Sequence, residues 1–143
     1  MIKREEKIAI EKRNDFGSVV LFELLSNFLK NYSSELVILP STKKYDKLAL
    51  SNTSDEEADD VIHNLIESSK IDFKQNLPVE KKIIKPLYLF LDKEVLLYAK
   101  IRGLKFKSEN KKKDKTDLFI EEMESKHPEL KRAILNGVIE IEE

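Results

Sequence analysis

Apolar residues recur every four positions at Phe16, Val20, Leu24 and Phe28, and Leu21, Leu25 and Leu29 form the adjacent row. That spacing is the broad stripe of a helix with one buried face. Asp15 stands at its N-cap position, and the pattern predicts a helix from there to about Lys30–Ser33. Two short apolar runs follow, ELVILP (Glu35 to Pro40) and KLALSN (Lys47 to Asn52). Both read as buried strands, expected to pair in parallel with helices packed on the sheet. Ser54-Asp55-Glu56-Glu57 has the capping-box form, in which the serine and the glutamate each satisfy a free N–H. Behind it Ala58, Val61, Ile62, Leu65 and Ile66 share one helical face.

Residues 68 to 80 read as a loop, and Ile83, Ile84 and Leu87 as a short extended stretch. Pro86 interrupts that stretch and biases Lys85 away from helix. The next helix is expected to start at Asp92 as its cap. Val95, Leu96, Tyr98 and Ala99 face inward, Lys93, Glu94 and Lys100 face solvent, and Gly103 ends it. A helix opening at Thr116 or Asp117 runs through Met123. A last short one starts at Pro128, turns Leu130, Ile134 and Leu135 inward, and closes at Gly137. At the ends, Ile8 and Ile10 are too sparse for a helical stripe, so residues 1–14 are expected as a charged, frayed or extended segment. VIEIEE alternates, and residues 138–143 are expected as a tail or edge strand. The resulting organisation is one domain over 15–137, of the α/β class, with a short parallel sheet, flanking helices and a helix-rich C-terminal part.

Composition narrows the function. With 143 residues, 41% hydrophobic and 37% charged, the chain can bury one core beneath a highly charged surface. Lys and Arg total 26 against 27 Asp and Glu, so a basic site must be a local patch. There is no cysteine. This excludes disulfides, Cys-held zinc or iron–sulfur sites and a thiol nucleophile. The charged MIKREEKIAIEKRND does not read as a signal peptide, and no apolar run approaches the roughly 20 residues of a membrane span. A soluble cytoplasmic protein with no membrane partner is expected.

The candidate chemistry is sparse. A phosphate cradle needs backbone N–H groups approached closely, hence clustered glycines. Gly17, Gly103 and Gly137 stand alone. His63 lies within the capping-box helix and His127 precedes Pro128. Neither shows a recognisable metal spacing to a carboxylate, and no metal site is expected. The acidic residues Asp55, Glu56, Glu57, Asp59 and Asp60 have two readings. They complement a helix dipole and face water, or they mark a site beyond the carboxyl end of the Lys47–Ser51 strand. The basic residues Lys105, Lys107, Lys111, Lys112, Lys113 and Lys115 are a solvated loop or an RNA-backbone contact.

IKPLYLFLDKEVLLYAKIRGL, from Ile84, resembles the I-K-P-L…K-E-V-x-x-Y-A-x-x-x-G segment of the PP-loop ATPases that 2-thiolate tRNA. Ile84, Lys85, Pro86, Leu87, Lys93, Glu94, Val95, Tyr98, Ala99 and Gly103 fit without a gap. Upstream, Asp55, Ala58, Asn64 and Leu65 match the family's D-D-x-A…N-L helix. Downstream, Glu124, His127, Pro128, Lys131, Ile134 and Leu135 match its E-x-x-H-P-x-x-K-x-x-I-L block. The resemblance covers roughly residues 46–137. The family's S-G-G-K-D-S loop, its G-H-N (here Ser51, Asn52, Thr53), its C-P-Y (here Ser108, Glu109, Asn110) and its zinc-binding cysteine pairs are missing, and Tyr88 stands where an Arg is usual.

The resemblance implies a truncated PP-loop fold, of the adenine nucleotide alpha hydrolase type, without the family's catalytic residues. It is most similar to the non-catalytic partner subunit of eukaryotic cytosolic tRNA thiolation. An interaction or scaffold role beside a catalytic thiolation subunit, with tRNA as a further partner, follows from it, and a homo-oligomer stays open. Enzyme activity of the chain alone is not expected, and no cofactor is expected, ATP entering only with a partner. Asp55, Lys85, Glu94 and Arg102 are the candidate nucleotide- or tRNA-facing residues, and Lys105, Lys107, Lys111, Lys112 and Lys113 the candidate RNA-backbone contacts. Two alternatives remain: an unrelated binding role on a retained fold, and a nucleotide-binding subunit completed by another chain.

Overall fold

A computed structural model of the chain describes residues 1–68, 72–108 and 112–142. The chain forms two compact units, Met1–Thr53 with Pro78–Glu109, and Ser54–Leu77 with Asn110–Glu143. Residues 1–14 belong to the first of these units.

The first unit is α/β. Its strands are β1 (Lys7–Glu11), β2 (Glu35–Leu39), β3 (Lys47–Ala49), β4 (Val79–Glu80) and β5 (Ile83–Ile84), and its helices are α1 (Phe16–Leu29) and α2 (Asp92–Ile101). The sheet order is β2-β1-β3-β5-β4, parallel except for the β4–β5 pair. Contrary to the expectation from the sequence, β2 and β3 do not pair with each other; β1 lies between them and pairs in parallel with both. The N-terminal segment, expected as frayed or extended, therefore supplies an interior strand of the sheet. Ile8, Ala9 and Ile10 are all buried. Successive strand residues point to opposite faces, so β1 is covered on both. Such a strand shows as a three-residue apolar run, too short for any periodic template.

α1 carries the predicted stripe into the core: Val20, Leu21, Leu25 and Leu29 pack with Ile8, Ile10, Ala49, Ile84 and the α2 residues Val95 and Ala99. Asp15 caps α1 as expected. The Lys85-Pro86-Leu87 corner turns the chain away from β5. Lys85 N–H donates to Pro78 O at 2.9 Å, Tyr88 N–H to Lys85 O at 3.1 Å, and Lys85, Leu87 and Tyr88 are buried. α2 begins one residue earlier than a cap at Asp92 implies: Leu91 is the N-cap, and its N–H donates to Glu94 Oε1 at 3.3 Å. At the other end Leu104 N–H reaches Ala99 O and Gly103 N–H reaches Lys100 O, with Gly103 at φ +67°. This closure requires a left-handed residue, which glycine supplies without strain.

The second unit is helical, with α3 (Ser54–Glu67), a 3₁₀ turn at Lys74–Asn76, α4 (Lys115–Lys126) and α5 (Leu130–Glu142). Val61, Phe73 and Val138 form its core, with Leu77 and Ile134 packed against them. Leu65 and Ile66, read as part of the inward face of α3, are exposed. α4 opens at Asp114 as N-cap rather than at Thr116 or Asp117. The expected edge strand or tail after Gly137 is instead the last part of α5, which runs through Gly137 to Glu142. Nothing lies within 4 Å of the place a Gly137 Cβ would take, so no contact requires glycine there. Among the described residues, no helix is long and apolar enough to cross a membrane.

Candidate functional site

In the first unit the chain passes from β1 through α1 to β2 on one side, then to β3 on the other. The carboxyl end of β1 is therefore the point where the strand order reverses, the place where open α/β sheets bind ligands. A cleft of about 120 Å³ lies there, lined by Glu11, Arg13, Ser18, Ser51 and Asn52 above the apolar floor of Leu21 and Ala49. Small-molecule sites usually enclose roughly 300–1,000 Å³, so the cleft is small for a nucleotide.

The turn from β1 to α1 reads Lys12-Arg13-Asn14-Asp15. A helix N-terminus at such a turn can hold a phosphate through its free N–H groups and its positive dipole end. Here Asp15 Oδ2 accepts from Ser18 N–H at 3.1 Å, and Asp15 Oδ1 accepts from Ser18 Oγ at 2.9 Å. The protein's own carboxylate thus sits where an anion would. Ser18 Oγ lies 3.4 Å from Ser51 Oγ. A Cβ on Gly17 would meet Ser51 O at 3.3 Å, so a side chain at 17 would require the segment just after β3 to give by a few tenths of an ångström. At the rim Arg13 donates to Glu11 at 2.6 Å, placing a second carboxylate beside the cleft. The cleft suits a small polar ligand and offers poor electrostatics for a triphosphate.

Thr53 Oγ1 donates to Asp92 Oδ1 at 2.5 Å, tying the end of the segment after β3 to the start of α2. Of the candidate facing residues in this unit, Lys85 is buried. The Glu94 carboxylate turns back on its own helix start. Arg102 is held by Glu23 through Nε and Nη2, both at 3.0 Å. That hydrogen bond and the Glu23 charge raise the Arg102 pKa. Lys105 and Lys107 are exposed.

In the second unit the structure gathers residues from two separate sequence blocks. Lys131 on α5 is only 8% exposed. Its Nζ lies 2.7 Å from Asp55, 3.3 Å from Asp59 and 3.2 Å from Glu124. Burial pulls the ammonium down, but the hydrogen bond to Asp55 and the charges of Asp59 and Asp55 outweigh it, and the Lys131 pKa is raised. Burial pushes the Asp59 carboxyl up, with Lys131 opposing. Asp55, a candidate facing residue, is thus paired with Lys131, a partner 76 positions away that the sequence reading did not connect to it. Lys112 and Lys113 are exposed, and Lys113 pairs with Glu121. Lys111, with Glu109 and Asn110, lies outside the described residues.

His63 also has partners the sequence reading missed. Its Nε2 lies 3.0 Å from Asp117 of α4, and its Nδ1 lies 3.4 Å from Glu67, one turn along α3. The Asp117 hydrogen bond raises the His63 pKa against the opposing effect of burial. The i,i+4 spacing of His63 and Glu67 was a readable signal; Asp114 and Asp117 are too distant in the chain to be paired from sequence.

No protein-family model and no curated protein sequence matches the chain. Among solved structures, the fold matches that of the U34-tRNA thiolase NcsA from Methanococcus maripaludis with its [4Fe-4S] cluster. The TM-score is 0.71 at 18% identity, over 97% of this chain and 72% of that one. The chain thus has a PP-loop-like α/β fold. It has no cysteine with which to hold such a cluster.

Proposed function

We propose that the chain is a non-catalytic PP-loop-like protein that serves as an interaction or scaffold partner in the 2-thiolation of tRNA wobble uridine. The observation that carries this reading is the β1–α1 turn. At the ligand position of the fold it presents no glycine, and Asp15 caps the helix start that a phosphate would use. The fold likeness to a U34-tRNA thiolase supports the pathway. The missing cysteines and the small cleft support the loss of chemistry. Exposed Leu89, Phe90, Leu97 and Ile101 around α2 give the first unit apolar surface of the kind that partner proteins cover.

The test is the 2-thiouridine content of tRNA from cells lacking the chain, measured by mass spectrometry of nucleosides. A loss restored by the wild-type chain is expected. Unchanged thiolation would overturn the reading.

A further inference from the structure

We propose that His63, Glu67 and Asp114 form a binding site for one divalent transition-metal cation of the Zn²⁺ class, joining α3 to the start of α4. One ligand atom from each residue lies within 4.8 Å of those of the other two. His63 and Glu67 are already closer than that. Ligands about 2.0–2.1 Å from a tetrahedral zinc stand about 3.4 Å apart, and His63 Nδ1 and Glu67 Oε1 are separated by 3.4 Å. Those two atoms thus have the spacing of one edge of the coordination tetrahedron without any rearrangement. Glu67 and Asp114 are both exposed, so their side chains can close the remaining gap to Asp114, and a water would complete the four positions.

The surroundings hold the set in place. His63 Nε2 is engaged by Asp117 Oδ1 at 3.0 Å, which leaves Nδ1 as the nitrogen turned toward Glu67. A carboxylate on the far nitrogen of a metal-bound imidazole fixes its tautomer and raises its basicity. Asp117 is itself fixed: its Oδ2 accepts from Asp114 N–H at 3.0 Å, while Asp114 Oδ1 accepts from Asp117 N–H at 2.8 Å. That reciprocal cap fixes the backbone at Asp114 and leaves its carboxylate a second oxygen. The donor set selects the cation class. One imidazole beside carboxylates suits Zn²⁺, Co²⁺ or Ni²⁺ over the all-oxygen preference of Mg²⁺ and Ca²⁺, and there is no thiolate to favour Cu⁺. Two ligating carboxylates and Asp117 behind the ring make the site anionic, so a dication gains from entering it.

The experiment is titration of the full chain with Zn²⁺ by calorimetry and with Co²⁺ by visible absorption, at neutral pH. One equivalent is expected to bind, Co²⁺ giving the intense bands of a four-coordinate centre, and the thermal midpoint to rise. His63→Ala and Glu67→Gln should each weaken binding at least tenfold. His127→Ala, which removes the other histidine, should leave it unchanged. Glu67 is 61% exposed, so Glu67→Gln keeps the fold and isolates the ligand effect. Absence of binding at millimolar Zn²⁺, or binding of equal strength in the wild type and in Glu67→Gln, would overturn the proposal.

Discussion

Lys131 and Asp55, 76 positions apart, meet at 2.7 Å in a largely buried ion cluster, with Asp59 and Glu124 on the same ammonium. Removing one member of such a cluster leaves uncompensated charge in a poorly solvated place, which typically costs about 3–5 kcal/mol. Lys131→Met should therefore lower stability by about 3 kcal/mol or more in urea unfolding.

The pH dependence of that loss has a definite sign. The raised Lys131 pKa means its contribution is fully present below the ordinary lysine value and is lost only as pH climbs through the raised one. The gap between wild type and Lys131→Met should thus stay level from about pH 6 to 9. On the acid side the buried Asp59 carboxyl, already pushed up, has lost its cation in the variant. Its folded pKa exceeds its unfolded one, so its ionised form is penalised and protonation relieves the penalty. The gap should narrow as pH falls below about 5. A gap that widens there would refute the cluster assignment.

Val95 and Ala99 are buried on α2, whereas Lys93, Glu94 and Lys100 are exposed. Val95→Asp should cost several kcal/mol, because a carboxylate would be buried without a partner. Lys93→Ala should stay within about 0.5 kcal/mol. Thermal unfolding of the two variants checks both. Equal effects would mean that α2 does not pack through Val95.

The contrast between α1 and β1 shows what the sequence could convey. The α1 stripe repeats over four turns, and Asp15 marks its start, so local pattern and tertiary burial agree for Val20, Leu21, Leu25 and Leu29, while Phe28 at the edge of the stripe is exposed. β1 buries only Ile8, Ala9 and Ile10 between charged neighbours, and its interior place depends on β2 and β3, which come later in the chain. At the other end, VIEIEE alternates like a strand, yet Ile134 and Val138 lie four apart and pack on one helical side with Val61 and Phe73. Gly137 suggested a stop that nothing in its surroundings demands. The Lys85 to Gly103 segment was legible because its punctuation is chemical: a proline that cannot stay helical and a glycine in the left-handed region. The ion cluster was not legible, although Asp55, Glu124 and Lys131 each stood in a recognised block. Long-range charge pairing has no period to read.

The Asp15 cap yields a prediction about stability. Asp15 satisfies Ser18 N–H and Ser18 Oγ at the start of α1. Asp15→Ala should cost about 1 kcal/mol, the usual loss for a helix cap, whereas Asp15→Asn, which can still accept from Ser18 N–H, should cost clearly less. Chemical denaturation of both variants decides it. Equal losses would mean that the carboxylate charge, rather than the cap, sets the stability of this turn.

The same carboxylate bears on nucleotide binding. A phosphate entering the cleft would face Asp15 at the helix start and Glu11 at the rim. The helix N–H groups that would favour it are partly satisfied from within, and about 120 Å³ gives it little room. Glu11 already holds Arg13, the cation of the cleft lining, and Asp15 occupies the helix start, so little net attraction is left for a phosphate. The full chain incubated with Mg²⁺ and ATP should therefore form no AMP above a buffer blank, and millimolar ATP should leave its thermal midpoint unshifted. AMP and pyrophosphate formed by the wild-type chain, and abolished by substitutions at Ser18 or Ser51, would place an active nucleotide site at the carboxyl end of β1 and end the non-catalytic reading.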